Sequence, residues 1–338
     1  MRQIRAGPVA VLGCGGWGTA LAVHLGRSGR EVRLWGRDGD LVEEMRVRRR
    51  NQTYLPGIGL PDTVRATASL EDALGDAVYV VAAVPSHGAR AVLRRAASHL
   101  HPDATLVSAA KGIEDGTLLR MSEVMAQEVG AARQVTVLSG PSFAAEVARG
   151  APTAVLVAGA GAEAVAAVQH DFRSESFRVY ASDDLVGVEI GGALKNVIAI
   201  AAGAVESLGL GHNALSALVT RGLAETSRLA CSLGGRRDTL AGLSGLGDLV
   251  LTCTGGLSRN RRVGLELGRG RALGEVLDGM RMVAEGVRTT RAALALGARQ
   301  GVELPITAQM ADVLAGRKAP RAAVEELMLR RQRSERDG

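Results

Sequence analysis

Aromatic residues are scarce in this sequence. Phe, Trp and Tyr make up 2% of its 338 residues, so the aromatic surfaces on which nucleobases stack are nearly absent. The formal net charge is +6, and the basic clusters at 46–51 and 329–336 fall on a predicted helix end and on the C-terminal tail. We interpret both clusters as solvated surface and expect no nucleic-acid partner. The positive field instead suits a small anionic substrate.

Cysteine is also rare, with only Cys14, Cys231 and Cys253. An odd number without close pairing argues against a disulfide framework, and the spacing fits no metal-binding pattern. The longest apolar runs, AVYVVAAV and AVLVAGAGA, are far shorter than the roughly 18 residues that a membrane-spanning helix needs. The start of the chain lacks the apolar core and cleavage site of a signal peptide. We therefore expect a cytoplasmic protein without a metal and without membrane insertion.

Lysine is the third scarce residue. Lys111, Lys195 and Lys318 are the only lysines among 41 Lys and Arg, and Lys195 interrupts the apolar run GGALKNVIAI. Arginine keeps its proton in proteins, whereas the pKa of a lysine falls readily on burial or beside another cation. The exception at Lys195 therefore predicts proton transfer at this residue. The alternative is a lysine that reaches solvent from the surface of a helix.

The length of the chain and its residue pattern predict two domains. In the first part, strand-like apolar runs alternate with helical stretches, which is typical of a parallel sheet covered by helices. The predicted strands are PVAVLG, EVRLWG, AVYVVAAV, ATLVSA, QVTVLSG, TAVLVAG and SFRVYAS. Because right-handed crossovers dominate such units, we predict an α/β, Rossmann-like, doubly wound sheet over 1–182.

Strand signals fade from residue 183 onward. Residues 183–210 predict one long helix. Further helices are predicted near 213–234, 261–267, 289–297, 307–314 and 322–331. We therefore predict an all-α domain over 183–332, followed by a flexible basic tail over 333–338.

A glycine-rich turn follows the first predicted strand. Gly13, Gly15 and Gly18, with Gly16 between them, form a Gly-x-Gly-x-x-Gly pattern where a strand passes into a helix. The first glycine allows a tight turn, the second lets a pyrophosphate approach the backbone, and the third allows close packing of helix and strand. Free N–H groups at the start of the helix would bind the same pyrophosphate. The sequence therefore predicts a dinucleotide cofactor at this turn.

The end of the second predicted strand bears on the choice of cofactor. An NAD site usually has Asp or Glu there to accept hydrogen bonds from the ribose hydroxyls. Here Gly36 and Arg37 precede Asp38, and a guanidinium suits a 2′-phosphate. We predict NADPH or NADH as the cofactor, with NADPH favoured. The alternative is that Arg37 points to water and Asp38 holds the ribose.

Nine characteristic segments occur in order over nearly the whole chain. They are GCGGWGTALA, NQTYLPGIGLP, VPSH, AAKGIE, LSGPSFAAEVARGAPTA, GGALKNVIAIAAG, GLSGLGDLVLTCTG, SRNRRVG and MVAEGVRTT. Together they resemble the bacterial NAD(P)-dependent glycerol-3-phosphate dehydrogenase family. The resemblance implies reversible reduction of dihydroxyacetone phosphate to sn-glycerol 3-phosphate, which supplies glycerophospholipid synthesis. It also implies a 6-phosphogluconate-dehydrogenase-like helical domain and a homodimer.

The resemblance further implies a set of site residues. It places the catalytic lysine at Lys195 and a second site lysine at Lys111. The implied substrate contacts are Lys111, Gly140, Ser142, Lys195, Asp248, Ser258, Arg259 and Asn260. The implied cofactor contacts outside the glycines are Trp17, Arg37, Lys111, Ala144, Arg259, Val283 and Glu285.

The chemistry of three of these residues fits a hydride-transfer reaction. Such a reaction needs a proton at the alcohol oxygen, so we assign Lys195 as general acid toward the ketone and general base in reverse. Lys111 follows a predicted strand at the edge where a doubly wound sheet binds ligands, and it would polarise the carbonyl; the alternative is an exposed loop lysine. Asp248, in a glycine-flanked turn, would orient Lys195, accept a substrate hydroxyl, or cap a helix. We expect Lys111 and Lys195 to lie close together.

The stretch TGGLSRNRRVG offers a phosphate site. Ser258, Arg259 and Asn260 supply a hydroxyl, a guanidinium and an amide, which are the donors that a phosphate dianion requires. Taken alone, these residues would fit a solvated arginine cluster equally well. The family resemblance favours the phosphate site.

Other protein classes share parts of this pattern. β-Hydroxyacid and 6-phosphogluconate-type dehydrogenases also carry a lysine on a helix after a Rossmann domain, but their Gly-x-x-x-Lys-x-x-x-Asn pattern matches only at Gly191 and Lys195, since residue 199 is alanine. A non-catalytic NAD(P)-binding redox sensor is a further alternative. A basic repressor built on a Rossmann core is disfavoured, because no winged-helix segment precedes Val9.

Overall fold

The computed structural model describes residues 5–131, 133–280, 282–332 and 334, and the chain forms two compact units. Unit 1 comprises Met1–Ala110 and Met121–Leu185, and unit 2 comprises Lys111–Arg120 and Val186–Gly338. The segment Lys111–Arg120, which the sequence placed in the first domain, belongs to unit 2. The tail predicted at 333–338 lies outside the described residues, except for Ser334.

Unit 1 is built on an eight-stranded sheet. In spatial order the strands are β3-β2-β1-β4-β5-β6-β7-β8. Their bounds are β1 Val9–Leu12, β2 Val32–Trp35, β3 Val64–Thr67, β4 Tyr79–Ala82, β5 Thr105–Ser108, β6 Val135–Ser139, β7 Thr153–Gly159 and β8 Phe177–Ser182. The order reverses at β1, which pairs in parallel with both β2 and β4. The predicted doubly wound sheet is confirmed.

Two details of the sheet differ from the prediction. β3 was missed, because it is a four-residue edge strand with an exposed arginine at its second position and so lacks a strong apolar run. β7 runs antiparallel to β6, although the remaining pairs are parallel. An antiparallel strand next to the edge of a parallel sheet is common in large sheets, and apolar content does not reveal strand direction.

In the described residues, α-helices alternate with these strands. They are α1 Gly16–Arg27, α2 Gly39–Arg48, α3 Leu70–Leu74, α4 Ser86–Ala96, α5 Met121–Val129, α6 Ala144–Arg149 and α7 Ala162–Asp171. The largest apolar cluster of unit 1 joins strands to helices and includes Tyr79, Phe172 and Phe177, each at most 1% exposed. This cluster fixes the sheet as a rigid support for the turns at its edge.

The strand register brings the glycine-rich turn and Arg37 to one edge of the sheet. Leu12, at the end of β1, aligns with Trp35 at the end of β2 and with Ala82 at the end of β4. The three strands therefore end at the same edge of the sheet, and the turns that follow them lie side by side there. In a doubly wound sheet, ligands bind at this carboxyl edge, beside the point where the strand order reverses.

Unit 2 is helical in the residues that the structure describes, as predicted. Its elements are α8 Leu185–Ser207, α9 Gly211–Ser232, α10 Arg237–Ala241, a π-helical turn Leu243–Gly247, α11 Asp248–Thr254, α12 Arg259–Gly268, α13 Leu273–Asp278, α14 Glu285–Gln300, α15 Pro305–Leu314 and α16 Pro320–Met328. The short helices α10 and α13 were not predicted, since five or six residues are too few to display helical periodicity.

Helix α8 is the centre of unit 2. Each residue from Gly187 to Val205 is buried. Glycines allow its neighbours to approach: a Cβ added at Gly203 would lie 2.0 Å from the carbonyl oxygen of Arg261, and one added at Gly264 would lie 1.8 Å from that of Ile200. The backbones of α8 and α12 thus touch without intervening side chains.

By length and composition, α8 could also cross a membrane. It is the one helix among the described residues with that property, and 89% of its apolar window is buried within the structure. A central helix of a folded helical unit has the same composition, because its whole circumference faces apolar neighbours.

The segment Lys111–Arg120 joins unit 2 through apolar contacts. Ile113 is 2% exposed in a cluster with Ile190, Leu194 and other residues of unit 2, and Leu118 packs against the same cluster. A partly buried ion pair, Arg120 Nη1 to Glu189 Oε2 at 2.7 Å, holds the end of the segment to α8. Lys111 is therefore carried by unit 2, although it follows a strand of unit 1 by only three residues.

Candidate active site

Lys195 lies in the middle of α8 and is 8% exposed. Its ammonium donates hydrogen bonds to Asp248 Oδ1 and, at 2.9 Å, to Thr252 Oγ1. The lysine is therefore held inside unit 2 and does not extend to solvent. A buried charge of this kind is costly unless it is paired, so the partners account for its presence in an apolar helix.

Asp248 is the shared partner of two lysines. Its carboxylate is fully buried, and while Oδ1 accepts from Lys195, Oδ2 accepts from Lys111 Nζ at 2.6 Å. The structure thus brings Lys111, Lys195 and Asp248 together within unit 2. Gly247 is the N-cap of α11, so helix capping does not explain the carboxylate.

Close backbone packing delivers Asp248 to this position. A Cβ added at Gly191, one turn before Lys195, would lie 2.7 Å from the carbonyl oxygen of Ser244, and one added at Gly245 would lie 2.0 Å from that of Leu240. Gly191 therefore lets the π-helical turn lie directly against α8, and Gly245 lets the same turn fold back against the end of α10. Asp248 follows this turn and faces the lysine.

The surroundings of Lys195 shift its proton affinity. Burial lowers its pKa to about 7, and the nearby charge of Lys111 acts in the same direction, while Asp248 opposes both. An ammonium in water keeps its proton until well above neutrality. A lysine with a pKa near 7 can both give and take a proton at neutral pH, which is the property that a general acid and base requires.

Thr252 was missed in the sequence. Its hydroxyl donates to the Asp248 carbonyl oxygen at 2.6 Å and accepts from Lys195. The signal that could have revealed it is the spacing of four residues from Asp248, which places both side chains on one face of a helix. Thr252 limits the positions that the Lys195 amine can take.

Asn196 was also missed as a site residue. Its Nδ2 donates to the Lys111 carbonyl oxygen at 3.3 Å, and its Oδ1 accepts from Asn260 Nδ2 at 2.8 Å. Asn260 Oδ1 accepts in turn from the backbone N–H of Gly286 at 3.0 Å. These two amides therefore connect the Lys111 segment, α8, α12 and the start of α14. Asn260 was predicted as a substrate contact, and both its Nδ2 and its Oδ1 form hydrogen bonds within the protein.

The other predicted phosphate donors lie at the start of α12. Ser258 is buried and is the N-cap, where its Oγ accepts from the Arg261 N–H at 3.2 Å. Arg259 is the first helical residue and is exposed. Glu285, the first residue of α14, exerts an electrostatic attraction on Arg259. Val283 is half-buried in the loop before α14. An exposed guanidinium at a helix N-terminus is suited to an anionic group.

In unit 1, the glycine-rich turn has the shape that a dinucleotide requires. Gly13 has φ +111°, and a Cβ added there would lie 2.9 Å from the Ala83 carbonyl oxygen. A Cβ added at Gly18 would lie 1.9 Å from the Gly13 carbonyl oxygen. At Gly15 an added Cβ would meet no atom within 4 Å. Helix α1 begins at Gly16 without a side-chain cap. The turn is thus closed on its inner side and open at Gly15.

A donor without a partner lies next to this opening. Trp17 Nε1 is buried and has no hydrogen-bond partner among the described residues. A buried indole N–H normally finds an acceptor. Together with the uncapped N–H groups of α1 and the open backbone at Gly15, it fits the oxygen-rich phosphates and ribose of NAD(P).

Arg37 and Asp38 differ in the hydrogen bonds that their side chains form within the protein. Asp38 is the N-cap of α2, and its Oδ1 accepts from the backbone N–H groups of Asp40 and Leu41 at 3.1 and 3.2 Å. Arg37 is exposed at the carboxyl edge of the sheet. The Asp38 carboxylate therefore already accepts two hydrogen bonds within the protein, while the Arg37 guanidinium faces solvent.

Three further predicted residues lie in unit 1, after β6. Gly140 has φ +128°, and a Cβ there would lie 3.0 Å from the Val155 Cα. The Ser142 hydroxyl donates to the Gly140 carbonyl oxygen at 2.9 Å, and Ala144 begins α6. The predicted substrate contacts are thus divided, with Gly140 and Ser142 in unit 1 and the remaining ones in unit 2.

In the described part of the chain, no group of three or more His, Cys, Asp or Glu side chains could hold a metal ion.

Comparison with known proteins relates this arrangement to one enzyme family. Residues 8–165 match the N-terminal part of NAD-dependent glycerol-3-phosphate dehydrogenase, and residues 184–325 match its C-terminal part. The glycerol-3-phosphate dehydrogenase [NAD(P)+] of Koribacter versatilis is 53% identical over 95% of this chain and 97% of its own. The protein of that name from Geobacter sulfurreducens is 52% identical over 97% and 98%.

A solved structure agrees with these matches. The crystal structure of glycerol-3-phosphate dehydrogenase from Coxiella burnetii covers 96% of this chain and 99% of its own, with a TM-score of 0.92 and 41% sequence identity. The likeness therefore extends over both units, in sequence and in fold. The chain belongs to the NAD-dependent glycerol-3-phosphate dehydrogenase family.

Proposed function

We propose that the protein catalyses the reversible NAD(P)H-dependent reduction of dihydroxyacetone phosphate to sn-glycerol 3-phosphate. The observation that carries this proposal is the cluster in which Lys111 and Lys195 share the buried carboxylate of Asp248. A secondary alcohol and a ketone interconvert by hydride and proton transfer, and this cluster supplies the proton chemistry. Membership of an oxidoreductase family supports the same reaction.

Lys195 transfers the proton in this proposal. When bound, NAD(P)H supplies the hydride to the carbonyl carbon. The Lys195 ammonium donates its proton to the carbonyl oxygen as the alkoxide forms, and in the reverse direction the neutral amine removes it. The Lys111 side chain lies beside the same oxygen in this proposal and stabilises the developing negative charge. Asp248 fixes both nitrogens, so that little reorganisation is needed during the reaction.

The start of α12 holds the phosphate in this proposal. Arg259 offers a guanidinium that can bind two phosphate oxygens at once, and Ser258 lies beside it at the helix N-terminus. The support is chemical: an exposed arginine, a hydroxyl and a positive helix end lie within two consecutive residues.

A substrate comparison tests the proposed function. Purified protein should oxidise NADPH with dihydroxyacetone phosphate and show little activity with the oxo acid of 3-hydroxyisobutyrate, which lacks a phosphate. Loss of NADPH absorbance at 340 nm measures both. Activity only with the oxo acid would favour a β-hydroxyacid dehydrogenase, and cofactor binding without turnover of either would favour a redox sensor.

Cofactor preference is expected to depend on Arg37. We infer a preference for NADPH, because Asp38 is engaged as a helix cap and the exposed Arg37 can pair with a 2′-phosphate. Arg37→Ala should raise the KM for NADPH about tenfold or more and change that for NADH by less than about twofold, since one charge-assisted contact contributes about 1.5–3 kcal/mol. Initial rates with both cofactors measure this, and equal losses would show that Arg37 does not contact the 2′-phosphate.

The rate in each direction should depend on pH with opposite sign. Lys195, with its pKa lowered to about 7 by burial, must be protonated for ketone reduction and neutral for alcohol oxidation. The kcat/KM for reduction should therefore fall as pH rises through about 7, whereas that for oxidation should rise. Steady-state rates from pH 5.5 to 9 at constant ionic strength measure both limbs. Limbs of the same sign would exclude a single acid and base group.

We also propose that the protein is a cytoplasmic homodimer whose product enters glycerophospholipid synthesis. Membership of the glycerol-3-phosphate dehydrogenase family supports this view, since sn-glycerol 3-phosphate is the backbone of such lipids. Sedimentation equilibrium measures the oligomeric state. A mass of one chain, 35.0 kDa, at micromolar concentration would contradict the dimer.

A further inference from the structure

Asn51 is fully buried and contacts the glycine-rich turn. Its Nδ2 donates to the Cys14 carbonyl oxygen at 2.7 Å and to Thr19 Oγ1 at 2.9 Å, and its Oδ1 accepts from the Tyr54 N–H at 3.0 Å. Thr19 Oγ1 donates to the same Cys14 oxygen at 3.2 Å. Two side chains, 32 residues apart, thus hold one carbonyl inside the Gly-x-Gly-x-x-Gly turn.

Asn51 belongs to a loop, residues 49–60, that is fastened at both ends. Arg49 donates to the carbonyl oxygens of Val64 and Leu60, and the Leu60 N–H donates to the Arg49 carbonyl oxygen at 2.8 Å. Leu55 is 3% exposed in an apolar cluster with Ala20 of α1. The loop is therefore held firmly against α1, and the Asn51 amide is presented to the turn in a fixed position.

The held carbonyl determines the direction of a cofactor donor. The described peptide bonds are trans, so the C=O of Cys14 and the N–H of Gly15 lie in one plane and point in opposite directions. Because Asn51 and Thr19 fix the C=O, they also fix the N–H of Gly15, which points away from them. The backbone at Gly15 is open, since an added Cβ would meet no atom within 4 Å.

We propose that Asn51 is a positioning residue for cofactor binding: by holding the Cys14–Gly15 peptide, it directs the Gly15 N–H toward the pyrophosphate of NAD(P)H. The inference rests on the proposed cofactor site at this turn. The glycines make the turn possible, but glycine can adopt several backbone conformations, so a restraint from outside the turn is needed to select one orientation of the peptide. An asparagine fits this task because it supplies two donors and one acceptor at once, and each has a partner here.

The test uses a substitution that keeps size and removes donation. Asn51→Asp retains an acceptor for the Tyr54 N–H but presents a carboxylate oxygen to the Cys14 carbonyl, so the peptide should rotate. The affinities for NADPH and for ADP-ribose, which both carry the pyrophosphate, should fall about tenfold or more. The affinity for adenosine 2′-monophosphate, which lacks it, should change by less than about twofold.

Binding and kinetic measurements separate this role from a general loss of structure. NADPH and ADP-ribose dissociation constants come from fluorescence titration, and that of adenosine 2′-monophosphate comes from competition with NADPH. At saturating NADPH, kcat should stay within about threefold while the KM for NADPH rises, because Asn51 does not touch the reacting atoms. Gln52→Ala, an exposed neighbour in the same loop, is the matched control and should match the wild type in each measurement.

A second variant covers the case in which Asn51→Asp does not fold. Thr19→Val removes the other donor to the Cys14 carbonyl without changing the size of the side chain, and it should show the same pattern with a smaller loss. Equal losses for all three ligands, or unchanged NADPH affinity in a folded variant, would overturn the positioning role. Failure of the wild type to bind NADPH would overturn the proposed cofactor site, and this inference with it.

Discussion

Lys195→Arg is expected to lower kcat in both directions about 10²–10⁴-fold, the range that general acid and base catalysis contributes. Arginine keeps the positive charge beside Asp248 but does not lose its proton in proteins. Charge stabilisation therefore survives, and proton exchange does not. The affinity for NADPH should stay within about twofold, since the substitution keeps the positive charge and leaves the glycine-rich turn unchanged. Steady-state kinetics and fluorescence titration measure these quantities.

The chain offers a matched control for this substitution. Lys318, also in unit 2, forms ion pairs with Glu326 at 2.6 Å and Asp312 at 3.5 Å. Lys318→Arg makes the same chemical change at a site where only charge is needed, so kcat should equal that of the wild type. A Lys195→Arg variant with near-wild-type turnover would exclude the acid and base role.

A smaller substitution removes the objection that arginine does not fit the buried site. Lys195→Ala should lose as much turnover as Lys195→Arg, and added primary alkylamines should restore part of it, with efficiency that follows their proton affinity and size. A purely structural lysine would not give rescue with this dependence. Rates measured against amine concentration at fixed pH decide between the two.

Much of this fold could be predicted from the sequence because the patterns that define it are long or rigid. β1 is buried at each of its four positions and leads into Gly13 and Gly18, where no side chain would fit, so strand, turn and helix are encoded locally. α8 is mostly apolar over more than five turns, interrupted by Glu189, Lys195 and Asn196. β3 carries no such pattern, and its place at the edge of the sheet comes from pairing with β2.

Some residues of the candidate site could likewise be predicted from the sequence, and others could not. The scarcity of lysine and its apolar surroundings point to Lys195 in the sequence, and burial is what lowers its pKa. By contrast, the packing of Lys111 with unit 2 depends on apolar contacts of Ile113 that lie far away along the chain. Thr252 and Asn196 were missed for this reason: their partners are defined by the contact of α8 with other segments.

Asp248→Asn is expected to have the second large effect, because it leaves two ammonium groups without their shared counter-charge. Removing one partner of a buried ion pair costs about 3–5 kcal/mol of stability, and the remaining amines would no longer be held in place. Turnover should fall on the order of 10²-fold, which is the loss of rate that a displacement of catalytic groups by about 1 Å can cause. Urea unfolding and steady-state kinetics measure the two losses.

Asp312→Asn provides the control for this change. Asp312 also pairs with a lysine of unit 2, but its side chain is 34% exposed, and exposed ion pairs contribute little to stability. The variant should unfold within about 0.5 kcal/mol of the wild type and keep its turnover. A comparable loss in both variants would mean that the buried carboxylate has no special role.

A pH profile distinguishes the electrostatic role of Asp248 from a structural one. The Asp248 charge raises the pKa of Lys195 against the effects of burial and of Lys111. Its removal should therefore shift the fall of the reduction rate, and the rise of the oxidation rate, to lower pH by about one unit or more. Loss of structure alone would lower both rates and leave their pH dependence in place. A shift toward higher pH would require that Asp248 does not stabilise the Lys195 ammonium, and the assignment of the carboxylate would then be wrong.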